Sequence, residues 1–369
     1  MSVGPDPASQ DAPSRIDAAA WAEQARGRAD ARLAVTIADF FLDADARLDE
    51  RTRLRLAQVL DGIVGAIETD IRRHAARLLA NAGDPARGEA ILKPGKPGGS
   101  VVARLTRARL LHDDALMGEL VARVRHDLIA DALPIAISGP DESSLLVRLA
   151  SVPDSVVASA ANALLASESR RRSANEAGTI AGSDLPAELH HRLVWWIAAA
   201  IRGDVDDTGG ATVDRALVDA ALRSLSAHDE GERPEAVAMR LAGAIEARPD
   251  ELAALLTEAI GDRRLSLFVA VLARAIGVEF EQARRMTIEP DGDQLWIALR
   301  AADLDRPTIA RIALALSEAD PRRDIEAFAD SLDAIAAISV ADARAALAPL
   351  SLHRDFRAAM RALTRSERR

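Results

Sequence analysis

Apolar residues recur along this chain in steps of three and four, and long runs of strict apolar/polar alternation are missing. The clearest stripe runs through Leu56, Val59, Leu60, Ile63, Val64, Ile67, Ile71, Ala75, Leu78 and Leu79, one face of a helix of 3.6 residues per turn. Asp49 can cap this element, which would span roughly 50 Å from 49 to about 82 if unbroken. Gly62 and Gly65 lie within it and invite a kink.

Further helices are expected near 101–111, 113–133, 141–150, 153–172, 184–202, 211–227, 233–247 and 249–260. After these come short helices and tight turns such as "EPDG" at 289–292, where Pro and Gly favour chain reversal. "DIRRHAARLLA" (70–80) and "SVVASAANALL" (155–165) share a frame with paired alanines, 85 residues apart. Paired small residues let helices approach closely, as in helical repeats of about 42 residues. The pattern therefore predicts an all-α chain, a HEAT-like α-solenoid with a C-terminal helical domain.

Punctuation divides the chain into a disordered polar tail (1–14), an N-terminal helical region (15–92), a Gly/Pro linker (93–100), a central HEAT-like region (101–202), an acidic loop (203–210) and a C-terminal helical domain (211–369). The linker "LKPGKPGGS" is no phosphate-binding loop, since Lys96 is followed by Pro97 and no strand precedes it.

Composition narrows the chemistry. Of 369 residues, 49% are hydrophobic, only 3% are aromatic, and tyrosine is absent, so the core must be aliphatic. The absence of cysteine excludes disulfides and thiol nucleophiles. A net charge of −10 disfavours a dedicated nucleic-acid binder. The last 19 residues run the other way, at a local +4 from six arginines against Asp355 and Glu367, as suits a helix C-terminus. The longest uncharged apolar run near the tryptophans, "LVWWIAAAI", has nine residues, short of the roughly 20 a membrane span needs. With no secretion signal at its start, the chain is expected in the cytoplasm.

Three segments carry a family resemblance: "LDERTRLRLAQVLDGIVGAIETDIRRHAARLLA" (48–80), "DLPAELHHRLVWWIAAAIR" (184–202) and "LSLFVAVLARAIGVEFEQARRMTIEPDGDQLWIALRAADLDRPTIARIALAL" (265–316). Together they resemble an uncharacterised alphaproteobacterial family of unknown function over most of residues 40–330. The resemblance implies an all-helical, HEAT-like fold and no activity, cofactor or catalytic residue.

Each chemical candidate has a plainer counterpart. His190 and His191 are adjacent, so on a helix they diverge by about 100° and cannot share a metal. Trp195 and Trp196 diverge likewise and are read first as inter-helix core, second as a partner or self-association surface. "DVDDTGGATVDR" offers Asp204, Asp206, Thr208 and Gly209 in a calcium-loop frame, but Arg215 occupies the place of the bidentate glutamate. His126, followed by Asp127 on a helix, has the form of a phosphoacceptor histidine, with His74 a weaker candidate, yet no nucleotide-binding module accompanies either. No HExxH, GxSxG or GxGxxG motif is present. No catalytic, cofactor or metal site is assigned. The expected function is a non-enzymatic adaptor or scaffold for a protein partner; the alternative is a regulatory protein phosphorylated on His126.

Overall fold

The computed structural model describes residues 47–93, 99–135, 143–177, 183–205, 210–353, 355–357, 359–360 and 363. The polar tail 1–14, most of the Gly/Pro linker, and Asp206, Thr208 and Gly209 lie outside them. The described residues are all-helical, with no strand among them. Two compact units divide at Asp49/Glu50, and every helix named below belongs to the second, residues 50–369.

The chain order is α1 (Glu50–Asn81), α2 (Pro85–Leu92), α3 (Val101–Arg107), α4 (Asp114–Ala132), α5 (Leu145–Leu149), α6 (Ser155–Ala177), α7 (Ala187–Arg202) and α8 (Gly210–Ala227). It continues as α9 (Pro234–Ile245), α10 (Pro249–Gly261), α11 (Leu265–Ile276), α12 (Phe280–Ile288), α13 (Asp293–Ala301), α14 (Arg306–Ala319), α15 (Ile325–Ala337) and α16 (Val340–Leu347).

The long stripe forms α1, which is helical throughout Gly62 and Gly65 and buries Leu56, Val59, Ile63, Ile67, Ile71 and Leu79. Start signals explain several boundaries. Asp113, Asp305 and Asp324 accept backbone N–H bonds at the starts of α4, α14 and α15, satisfying donors a helix leaves open. Some expected helices are shorter than their patterns, 141–150 being helical only over Leu145–Leu149 among its described residues. The segment 101–111 stops at Arg107, and Arg109 turns left-handed at φ 59° before a 3₁₀ turn, Leu110–His112.

Two regions of packing result. In the first, α1 lies against α2, α7 and α8, with α3 on α7. At the α1–α2 contact a Cβ on Gly88 would come 2.9 Å from the Ala76 carbonyl oxygen, so only glycine allows this approach. In the second, an apolar core runs from Ile129 to Leu347 through α5, α6 and α9–α16. Its centre is α11, whose residues from Leu265 to Ala273 are all buried. A helix apolar around its whole circumference can only sit inside. Helix α4 touches α1 on one side and α11, α12 and α14 on the other, and so joins the regions. Among the described residues no single helix is long and apolar enough to cross a membrane. The pair Ile325–Ala337 and Val340–Ser351 has the composition but bends by 107°, and it buries Phe328, Leu332, Ile335 and Leu347 in the core.

Candidate functional site: a buried charged seam and its cleft

Where α4 meets the second region, the interior turns from aliphatic to ionic. Glu119, Arg123 and His126 recur on one face of α4 at steps of four and three. They meet Arg171 of α6, Asp184 ahead of α7, Arg233 and Glu235 at the start of α9, and Arg284 of α12. Arg171 grips Glu235 through two hydrogen bonds of 2.7 and 3.0 Å, while its Nε donates to Asp184 at 2.9 Å. Arg284 donates to both Glu119 oxygens and pairs with Glu281 one turn away.

The protonation of these groups follows from who faces whom. Burial works to raise the Glu235 pKa, but Arg171, Arg233 and Arg284 overcome it and hold the carboxyl well below its usual range. Burial likewise opposes the charge on Arg171, but Glu235, Asp184 and Asp127 raise its pKa. Glu281 is less well compensated: burial pushes it up to about 7, and Glu119 and Glu235 add to the rise against the pull of Arg284. Arg123 is the least satisfied. Burial lowers its pKa, one nitrogen lies 3.5 Å from Asp184, and its Nε and Nη1 have no hydrogen-bond partner among the described residues. Breaking a buried charged pair typically costs about 3–5 kcal/mol, because it strands the remaining charge. The seam therefore fixes how α4, α6, α9 and α12 meet.

Beside the seam opens a cleft of about 470 Å³. Its walls come from α1 (Arg55), α4 (His126, Asp127, Asp131), α6 (Glu168, Arg172) and the α10–α11 junction (Asp262 to Ser266). His126 is 4% exposed. Its Nε2 lies 3.1 Å from the Ser266 hydroxyl, and its Nδ1 is buried without a partner. Burial lowers its pKa to about 4, so the ring is neutral at neutral pH.

The other sequence candidates fall elsewhere. His190 is buried and stacks on His228 with ring centroids 4.0 Å apart, and burial followed by the His228 charge lowers its pKa to about 4. His191 is exposed and accepts a 3.2 Å bond from the Trp195 indole N–H. Trp195 and Trp196 are both half-buried at the rim of α7, which buries Leu189, Leu193, Ile197 and Ile201. The helix buried on all sides is thus α11 rather than α7. Asp204, first in the calcium-loop frame, is taken by arginines: Arg72 reaches it at 2.9 Å, and Arg104 bonds its other oxygen. No group of three or more metal-ligating side chains occurs among the described residues. His74, on α1, lies away from the cleft lining, and its pKa is lowered by burial and by Arg223.

Sequence reasoning singled out His126 and missed Glu119, Arg123, Arg171, Glu235 and Arg284. A signal existed. Each charge interrupts an apolar row at helical spacing, as Glu235 does ahead of Ala238 and Leu241, and Arg284 after Phe280.

Searches of curated proteins and of solved structures found no match. A family model does match, over residues 129–348. This span takes in the segments 184–202 and 265–316 but not 48–80, and its limits fall at the ends of the second region's core, Ile129 and Leu347. Conservation in bacteria replaces the narrower alphaproteobacterial expectation. That family is described as "Uncharacterised protein conserved in bacteria (DUF2336)", and the chain belongs to it.

Proposed function

We propose that the protein is a non-enzymatic helical adaptor of the bacterial cytoplasm, a HEAT-like array with a C-terminal helical domain, with α8 as the element presented to a protein partner. The observation that carries this reading is on α8. That helix buries Val213, Ala216, Leu217, Ala220 and Ala221, yet its opposite face holds Val218 and Leu222 at 43% and 51% exposure, with Leu225 half-buried below them. The spacing i, i+4, i+7 is the anchor pattern of a helix seated in a partner's groove. Asp214, Arg215, Asp219 and Arg223 rim this stripe with both charge signs, the polar border expected around an apolar contact. The array reading draws on consecutive packing of α10 on α11, α11 on α12, α12 on α13 and α14 on α15, while α6 on α9 and α13 on α16 pack across that order. Stacked helices of this kind offer extended surfaces to partners.

The test is capture of near-stoichiometric partners by the tagged chain, compared with Val218→Asp/Leu222→Asp. Both side chains are exposed, so the variant should fold with an unchanged melting temperature and lose a partner that the parent retains. An identical partner set in the variant, or none in the parent across growth states, defeats the reading. The alternative, phosphate accepted on His126, needs a ring now buried against Ser266 to reach a donor protein. Acid-labile phosphate on the parent and none on His126→Ala would favour it over the adaptor.

A further inference from the structure

Past α16 and the 3₁₀ turn Ala348–Ser351 the chain enters one more helical segment, of which residues 355–357, 359–360 and 363 are described. It starts at His353, whose carbonyl accepts the Arg357 N–H at 3.1 Å and whose Nδ1 accepts the backbone N–H of Asp355 at 3.3 Å. Leu352, Phe356, Met360 and Leu363 are 43–65% exposed. Phe356, Met360 and Leu363 follow one another at i, i+4 and i+7, one stripe of a helix, with Leu352 just ahead of it. No other phenylalanine or tryptophan among the described residues is as exposed as Phe356. Scattered apolar side chains on a surface are ordinary, but a contiguous row marks a contact.

The charge that accompanies this stripe is of one sign. Arg354, Arg357, Arg361, Arg365 and Arg368 recur in the sequence at steps of three and four. At about 3.6 residues per turn, that spacing sets their row on a different side of a helix from Phe356 and Leu363. Of the five, Arg357 is among the described residues. Asp355 and Glu367 are the only acids in the last 19 residues, which carry +4 in a chain of net charge −10.

The stripe on α8 has different company. Asp214 and Asp219 border it together with Arg215 and Arg223, and such mixed signs suit the mosaic of a protein surface. Arginines with scarcely an acid among them suit a surface that is negative throughout. Nucleic acid is one such surface, but it offers no apolar layer to a row of Phe, Met and Leu. A bilayer with anionic headgroups offers both, charge outside and hydrocarbon within reach of a helix lying flat. Arginine fits that boundary, since its stem can lie along hydrocarbon while the guanidinium stays with phosphate.

We propose that residues 352–369 attach the protein to an anionic lipid surface, with Phe356, Met360 and Leu363 entering the acyl boundary and the arginines pairing with headgroup phosphates. The segment lies on the membrane and does not cross it. So short an apolar row binds weakly by itself, so attachment needs both terms and is reversible.

Co-sedimentation of the full chain with vesicles of equimolar phosphatidylglycerol and phosphatidylcholine, and with vesicles of phosphatidylcholine alone, tests the site. We expect binding to the first that weakens as salt rises, and little to the second. Leu352→Ser/Phe356→Ser should weaken binding about tenfold or more. Arg357→Gln/Arg361→Gln should do the same, because each basic residue near such a surface is worth about fivefold. Leu352 and Phe356 are exposed, so the first variant should keep the parent's melting temperature. Binding to neither vesicle, equal binding to both, or binding unchanged in either variant overturns the proposal. So does a preference for duplex DNA over the anionic vesicles, which assigns the arginines to nucleic acid. The result is independent of the α8 reading, and Val218→Asp/Leu222→Asp should bind the vesicles as the parent does.

Discussion

The two regions joined by α4 keep water out in different ways. In the first, α1 buries one stripe and leaves the rest of its surface wet, and it gains order from polar ties: Arg72 reaches the Ile91 carbonyl at 2.8 Å and Asp204 at 2.9 Å. In the second, α11 is buried from Leu265 to Ala273 and is held mainly by apolar packing, with Ser266 tied to His126 in its first turn. The contrast teaches where each region can tolerate change. A helix with one apolar face loses its hold when a single row is cut, whereas a helix enclosed by neighbours fails wherever packing fails. Between the two lies the seam of Arg171, Glu235, Arg284 and Glu119, where removing one partner strands a buried charge.

The sharpest way to break the comparison is to cut each core in turn. Phe268→Ala removes a fully buried ring of α11 and should cost about 3–5 kcal/mol, with loss of hydrogen-exchange protection throughout α5, α6 and α9–α16. Ile63→Ala, equally buried on α1, should cost about 2–4 kcal/mol and expose α1, α7 and α8 first. Identical exchange patterns in the two variants would show that the regions unfold as one.

Next in size is the seam. Glu235→Gln leaves Arg171 buried beside a neutral amide and should cost about 3 kcal/mol in chemical denaturation. Arg171→Met/Glu235→Leu, which removes both charges, should recover most of that loss. If the double variant is as unstable as the single one, the pair is not coupled as its geometry indicates.

Stability against pH separates two seam residues of opposite sign. His126 has a native pKa of about 4 against its usual 6.5, so the unfolded chain takes the proton first. Its contribution is fully present above about pH 6.5 and is lost as the pH falls toward 4, by about 3 kcal/mol in total. Glu281, raised from 4.5 to about 7, works in reverse: its contribution is present below pH 4.5 and disappears as the pH rises through 7. Denaturation midpoints across pH 4–8 should therefore rise more steeply with pH in Glu281→Gln than in the parent. A parallel curve would show that Glu281 does not titrate in this range.

The smallest expected effect lies in the first region. A Cβ on Gly203 would fall 2.0 Å from the Arg104 guanidinium, which bonds Asp204 and the Ala200 carbonyl. Arg104 is flexible enough to withdraw, so Gly203→Ala should cost only about 1 kcal/mol. An unchanged melting temperature would mean that the Arg104 bonds contribute nothing.

The helices themselves were legible in the sequence because their signals are local. The α1 stripe, for example, lies within one stretch of chain from Leu56 to Leu79. Partnership was not legible. Glu119 and Arg284 are 165 residues apart, and Arg72 and Asp204 are 132 apart, so no periodicity relates them. His126 stood out through its neighbour Asp127, whereas the serine that completes its environment lies 140 residues on. The "HHRLVWWIAAAI" segment drew attention through its aromatics, but an amphipathic helix with two half-buried tryptophans satisfies the same pattern as an enclosed one. Exposure around a helix depends on how many neighbours the fold supplies, and that number is set by contacts remote in sequence.

If the buried seam sets the mutual placement of the two regions through α4, loosening it must be felt on both sides. Hydrogen exchange read by mass spectrometry on the parent and on Glu235→Gln decides the matter. Faster exchange is expected in both regions together, in α1 and α8 as well as in α9 and α12. Faster exchange confined to α9, with α1 and α8 unchanged, would show that the seam holds only its own helix.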